Sequence, residues 1–257
     1  MPTWKMKIEY DGGRYSGWQQ QENARTIQGE LLKVASHIFD DRVQIGGAGR
    51  TDAGVHALEQ VAHLRAKQSL PIKELLFNFD QLLPKDINIL DIKTASENFD
   101  ARHDAISRSY LYQISTRRTA FGKPYVWWVK DRLNVKSMQQ ACQLLVGLKD
   151  FRSFCELEGD KSTLVKVESV DLSLSNSLIL FRISASHFLW KMVRRLVGTI
   201  VEIGRGNIRE SQLIQFLTSY SNLPATWTAP PSGLLLEKVI YLGDSKPKLS
   251  NPMIFIS

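Results

Sequence analysis

Between residues 4 and 92 the hydropathy pattern switches repeatedly between a period of two and a helical period. The order of those switches restricts the fold more than any single residue does. Trp4-Lys5-Met6-Lys7-Ile8-Glu9-Tyr10 alternates apolar and polar side chains, the pattern of a half-buried strand, and Asp11-Gly12-Gly13 ends it. Ile27, Leu31, Val34, Ala35 and Ile38 recur at helical spacing, with Thr26 placed to cap them. Val43 and Ile45, then Val55, Ala57, Val61 and Leu64, mark strand ends on either side of a glycine-rich stretch. A second helix follows Pro71, with Leu75, Leu76, Phe79 and Leu82 on one face, and Ile87–Ile92 reads as a strand. The resulting order, β-α-β-β-α-β, is that of ferredoxin-like and RNA-recognition folds.

The second half repeats this order with different lengths. The patterns predict a strand over Ser109–Thr116, a helix over Val135–Val146 with Met138, Ala141, Cys142 and Leu145 inward, and a hairpin of 171–174 and 178–185 through Asn176-Ser177. Helices over 187–203 and 209–219 and a strand over 235–241 complete it. With no linker or low-complexity tract between them, the expectation is an α+β chain of two ferredoxin-like, RNA-recognition-like halves. These would be residues 1–104 and 105–242, sharing a largely antiparallel and continuous central sheet. A tail over 243–257 would follow, where Pro247, Asn251 and Pro252 discourage regular structure.

Charge points to the partner. Thirty-three basic against 26 acidic residues leave a net charge of +7, which favours a polyanion. Residues 102–132 alone hold seven basic side chains against two acidic ones, interleaved with Tyr110, Tyr112, Phe121, Tyr125, Trp127 and Trp128. Cations alternating with rings suit a groove that follows a nucleic-acid backbone and stacks bases, although a strand pair with core aromatics and solvated basic ends has the same composition. No apolar run approaches the roughly 20 residues of a membrane span. Met1-Pro2-Thr3-Trp4-Lys5 lacks a signal pattern, and two cysteines, Cys142 and Cys155, form no disulfide framework. These features lead us to expect a cytoplasmic protein. The five histidines lack metal-ligand spacing, so no metal is expected.

Two charged residues stand out. Asp52 lies in Gly46-Gly47-Ala48-Gly49-Arg50-Thr51-Asp52-Ala53-Gly54-Val55-His56, where glycines let another molecule approach the backbone. It is either a turn residue or a carboxylate presented to a ligand. The second is Arg194, whose helical neighbours Trp190, Val197, Gly198 and Val201 are apolar, whereas Arg195 shares a polar face with Lys191, Thr199 and Glu202. A guanidinium on an apolar face either meets a carboxylate or phosphate or extends its head to solvent. Asp52 is an attractive partner by mutual need.

Gly49-Arg50-Thr51-Asp52-Ala53-Gly54-Val55-His56 is similar to the signature of the TruA family of tRNA pseudouridine synthases. Supporting motifs run in order: Ile8–Gly12, Tyr15–Gln19, Thr26-Ile27-Gln28, Phe99–Arg102 with Arg108-Ser109-Tyr110, Asp150–Phe154, Met192-Val193-Arg194 with Val197-Gly198, and Gly233–Leu236. The resemblance implies the pseudouridine synthase fold and an isomerase that converts uridine to pseudouridine in the tRNA anticodon stem-loop, at tRNA positions 38, 39 and 40. It implies no cofactor, tRNA as partner, and a homodimer. Asp52 would be the nucleophile, Arg194 would keep it ionised, and Tyr110 would stack on the uracil and assist proton transfer. Arg50 would hold the flipped nucleotide, with Leu234 and Leu236 forming an apolar wall. The competing readings are a non-catalytic RNA-binding protein of RNA-recognition-like fold and a nucleotide-binding enzyme. The latter is weakened by Asp52, which stands where a phosphate-cradling loop needs glycine.

Overall fold

Alternation in Thr3–Tyr10 produces the first strand, β1. It buries Trp4, Met6, Ile8 and Tyr10 and leaves Lys5, Lys7 and Glu9 partly exposed. The computed structural model describes residues 1–157, 159, 161–244 and 252. The chain forms two compact units, Met1–Ile106 joined by the strand that follows Leu235, and Ser107–Leu234. The expected 243–257 tail lies, apart from 243, 244 and 252, outside the described residues.

In the first unit, Thr26 caps helix α1 (Ile27–Phe39) by accepting the Gly29 amide at 3.2 Å. Strands β2 (Gln44–Gly47) and β3 (His56–Arg65) flank the glycine-rich loop. Helix α2 (Ile72–Leu82) leads to strand β4 (Ile87–Ala95). The strands pair antiparallel in the order β4-β1-β3-β2, the arrangement expected of β-α-β-β-α-β. Helix α1 packs on β2 and α2, and α2 packs on β4. On α2 only Leu75 and Phe79 are fully buried, while Leu82 is exposed, so the inward stripe is narrower than the periodicity suggests. Burying Phe79 completely contributes about 1.5–3 kcal/mol.

The second unit begins on strand β5 (Ala105–Ser115). After the short β6 (Trp127–Trp128), Asn134 caps helix α3 (Val135–Gln143) by accepting the Ser137 amide at 3.1 Å. Strands β7 (Gly147–Asp150), β8 (Leu164–Ser175) and β9 (Leu178–Ala185) follow. The expected hairpin is present, with Asn176 left-handed at φ 52° in its turn, but β8 begins earlier than predicted. The order is β5-β9-β8-β7, all antiparallel, with β6 parallel to β5.

Helix α4 (Met192–Arg205) starts five residues later than the periodicity suggests. Lys191, left-handed at φ 62°, breaks the axis, so 187–190 leads into the helix without joining it. Helices α5 (Glu210–Thr218) and α6 (Leu223–Thr226) follow, with α3 and α6 packed on α4. Strand β10 (Leu234–Tyr241) then runs parallel to β3 of the first unit, with Leu235 opposite His56 and Leu236 opposite Ala57. The closing strand therefore departs from a linear division at 105–242. No helix among the described residues is long and apolar enough to cross a membrane.

Candidate active site

The loop joining β2 to β3 is held by its backbone. Its entry is fixed where the Ala48 amide donates to Val61 O at 2.8 Å and Gln60 Nε2 donates to Gly49 O at 2.8 Å. Thr51 is tied twice: its hydroxyl meets Tyr10 Oη at 2.9 Å, and its carbonyl accepts the Trp18 amide at 3.0 Å. Beyond it, Asp52 O accepts the Val55 amide at 3.1 Å, closing a turn, and Gly54 N donates to Tyr15 O at 3.3 Å. Tyr10, Thr51 and Gln60 are all buried, so a satisfied polar network supports the loop from within. Burial raises the Tyr10 phenol to about 12, so it remains a neutral hydrogen-bonding group. On this base Asp52 is half-buried and Arg50 is exposed.

At the far end of the loop, buried His56 brings Nδ1 to 3.1 Å from the Gly12 amide and 2.9 Å from Asp11 Oδ1. Tyr10, Gln60 and His56 were not singled out as supports by the sequence reading. The available signal is a glutamine next to the apolar Val61-Ala62 pair of a strand, which must find partners once buried.

In the second unit, Tyr110 is buried on β5 opposite Ile183. Its ring meets Phe188 edge-on, with centroids 4.9 Å apart. Phe188 lies in the segment that the left-handed Lys191 turns away from α4.

The arginine pair on α4 reverses the helical-wheel reading. Arg195, assigned to the polar face, is buried at 5 % exposure, and Thr199 and Glu202 on that face are buried too. Its Nη1 donates to Cys155 O and its Nη2 to Glu156 Oε1. Lys191 bonds the same Glu156 carboxylate at 3.1 Å, and Lys191 together with Arg195 holds that carboxyl below its ordinary range. The polar stripe of α4 therefore faces protein: the 155–156 segment partners Lys191 and Arg195, Thr199 donates to Arg195 O, and Glu202 accepts from Arg205 and Asn207.

Arg194 is only half-buried. Its Nε donates to Ala229 O at 2.7 Å, and its own carbonyl accepts the Ala229 amide at 3.1 Å. One turn later Gly198 admits this strap: a Cβ there would lie 1.7 Å from Trp227 O. The strap thus fixes the Arg194 stem and the orientation of its guanidinium plane. Leu234 and Leu236 are buried on one face of β10, and Leu235 is buried on the other, so the strand is covered on both sides.

A polar cavity of about 180 Å³ opens in the first unit beside Arg50, with Trp18, His63, Arg102 and His103 among its walls. Nothing in the sequence pattern places Trp18, Arg102 and His103 at a common site with Arg50.

A family model described as tRNA pseudouridine synthase matches residues 6–104 and 141–242. The chain is 39% identical over 242 residues to tRNA pseudouridine synthase A of Aquifex aeolicus, covering 93% of this chain and all of that one. It is 38% identical over 250 residues to the protein of the same name from Thermodesulfovibrio yellowstonii, covering 92% and 98%. The glycine-rich loop with Asp52 and the helix with Arg194 lie within the residues the family model matches, whereas the strand with Tyr110 falls between its two matched segments. The chain belongs to the tRNA pseudouridine synthase family.

Proposed function

We propose that this chain isomerises uridine to pseudouridine in the anticodon stem-loop of tRNA, at tRNA positions 38, 39 and 40, with Asp52 as the nucleophile. The observation that carries the proposal is a half-buried carboxylate on a loop whose backbone is pinned before and after it, within the family's motif. A catalytic group must be held near its productive geometry, and this network holds the backbone that carries one.

The reaction conserves atoms. The bond from uracil N1 to ribose C1′ breaks, the base turns, and C5 joins C1′. The proton leaving C5 is balanced by one gained at N1, so the overall change needs no oxidant and no cofactor. The Asp52 carboxylate attacks the ribose–uracil centre and leaves again once the new bond has formed. Arg194, held by the 229 strap, supplies a cation to the reacting centre. Tyr110 stacks on the uracil and assists proton transfer at C5. Arg50 holds the nucleotide once it is flipped from the stack. Leu234 and Leu236 supply an apolar wall. The protein acts in the cytoplasm as a homodimer.

Unmodified tRNA incubated with the purified protein tests this reading by mapping pseudouridine at single-nucleotide resolution. Pseudouridine confined to positions 38, 39 and 40 is expected. Modification elsewhere would overturn the assignment of the site, and unchanged uridine throughout would overturn the activity.

A further inference from the structure

The cavity beside Arg50 has a chemistry of its own. Its floor is the bare backbone of Gly46 and Gly47, which lie beneath two rings. A Cβ on Gly46 would fall 2.6 Å from His63 Nε2, and one on Gly47 would fall 2.5 Å from the Trp18 ring. These glycines are therefore required by the rings that wall the cavity.

The histidine is oriented. The Ala101 amide donates to His63 Nδ1 at 3.0 Å, so in the neutral ring the proton sits on Nε2, beside the Gly46 floor. Burial lowers the His63 pKa and favours that neutral, donating form.

The opposite wall is a tight turn. Asp100 Oδ1 accepts the amides of Arg102 and His103 at 2.8 and 2.9 Å, and Asp104 Oδ2 accepts the Asp100 amide at 2.9 Å. Among the residues that line the cavity, Arg50 and Arg102 carry a positive charge and Asp100 a negative one, one positive charge in excess. A cation would meet that excess, and an apolar ligand would strand the charged wall. At about 180 Å³ the cavity is smaller than the roughly 300 Å³ at which pockets for drug-sized molecules begin. A singly charged phosphodiester fits the charge, the donors and the size.

From this we infer that the cavity is a subsite for one RNA phosphodiester, gripped by Arg50 and Arg102 with His63 as a further donor and His103 at its wall. Arg50 stands two residues from Asp52, at most about 7 Å of chain, so the linkage held is one flanking the reacting uridine. The inference deepens the proposed tRNA reading and rests on it.

The test uses tRNA with single uncharged methylphosphonate linkages on either side of the target uridine, bound to wild type, Arg102→Gln and Arg102→Lys across a salt series. Arg102 is exposed, so both variants should fold. For wild type, one methylphosphonate should weaken binding about tenfold. R102Q should lose a similar factor on natural tRNA and nothing further on the methylphosphonate at that linkage. Its salt slope should be shallower by about 0.7–0.9, while R102K keeps the wild-type slope. An R102Q slope equal to wild type, or losses that multiply at both flanking linkages, would overturn the subsite. Product formation is scored separately on the same samples, so failure of the activity is distinguishable from failure of the subsite.

Discussion

Asp52 and Arg194 reach the same half-buried state by opposite means. In the loop, side chains support a backbone: Tyr10 grips the Thr51 hydroxyl and Gln60 grips the Gly49 carbonyl, so the residue between Thr51 and Ala53 is carried in position. In α4 a backbone supports a side chain, because the Ala229 carbonyl fixes the Arg194 guanidinium through Nε. The adjacent Arg195 is buried, with Nη1 on Cys155 O and Nη2 on Glu156 Oε1. Neighbouring arginines on one helix therefore have separable tasks, orientation for Arg194 and cohesion for Arg195.

Substitution should separate those tasks. Arg194→Met is expected to slow pseudouridine formation by about 10²–10³-fold while lowering stability by only about 1 kcal/mol, measured by single-turnover kinetics beside denaturant unfolding. Arg195→Met should do the reverse. Losing charge-assisted bonds to Cys155 O and Glu156 should lower stability by about 3 kcal/mol, with a rate per folded molecule close to wild type. Equal effects of the two substitutions on rate would erase the distinction.

The loop side is probed more gently. Tyr10→Phe removes the Thr51 bond and should reduce stability by about 1 kcal/mol, with a fall in rate as Asp52 loosens. An unchanged rate would mean that the network supports the fold alone. The smallest effect concerns pH. Burial sets the His63 pKa below its ordinary value, whereas the unfolded chain titrates near about 6.5. Its contribution to stability is therefore complete above that value and declines as pH falls toward the folded pKa. His63→Gln should remove this part of the acid sensitivity, read from unfolding at several pH values. An unaltered pH profile would contradict the assignment.

The β-α-β-β-α-β order was legible because each element carries its own period, and Thr26 and Asn134 cap their helices through side chains within three residues. Asp52 was legible for the same local reason, since its motif is continuous. The start of α4 was not, because periodicity continues through Phe188 and Trp190 although a left-handed Lys191 breaks the backbone there. The burial of Arg195 was also hidden. A helical wheel sorts residues by polarity, and the segment that receives the Arg195 guanidinium lies about 40 residues away in sequence. A second need met by Gly46 and Gly47 was not legible in the sequence. Those two residues make room for the His63 and Trp18 rings, a need visible only once β2 and β3 are paired.

The central claim is that Asp52 performs the chemistry and is not merely part of the fold. Asp52→Asn keeps the shape of the side chain and removes its charge. Under single-turnover conditions with tRNA saturated by enzyme, the account predicts a loss of pseudouridine formation of at least about 10⁴-fold, with tRNA affinity and unfolding midpoint within error of wild type. Pseudouridine formed by the Asn variant at the wild-type rate would contradict it.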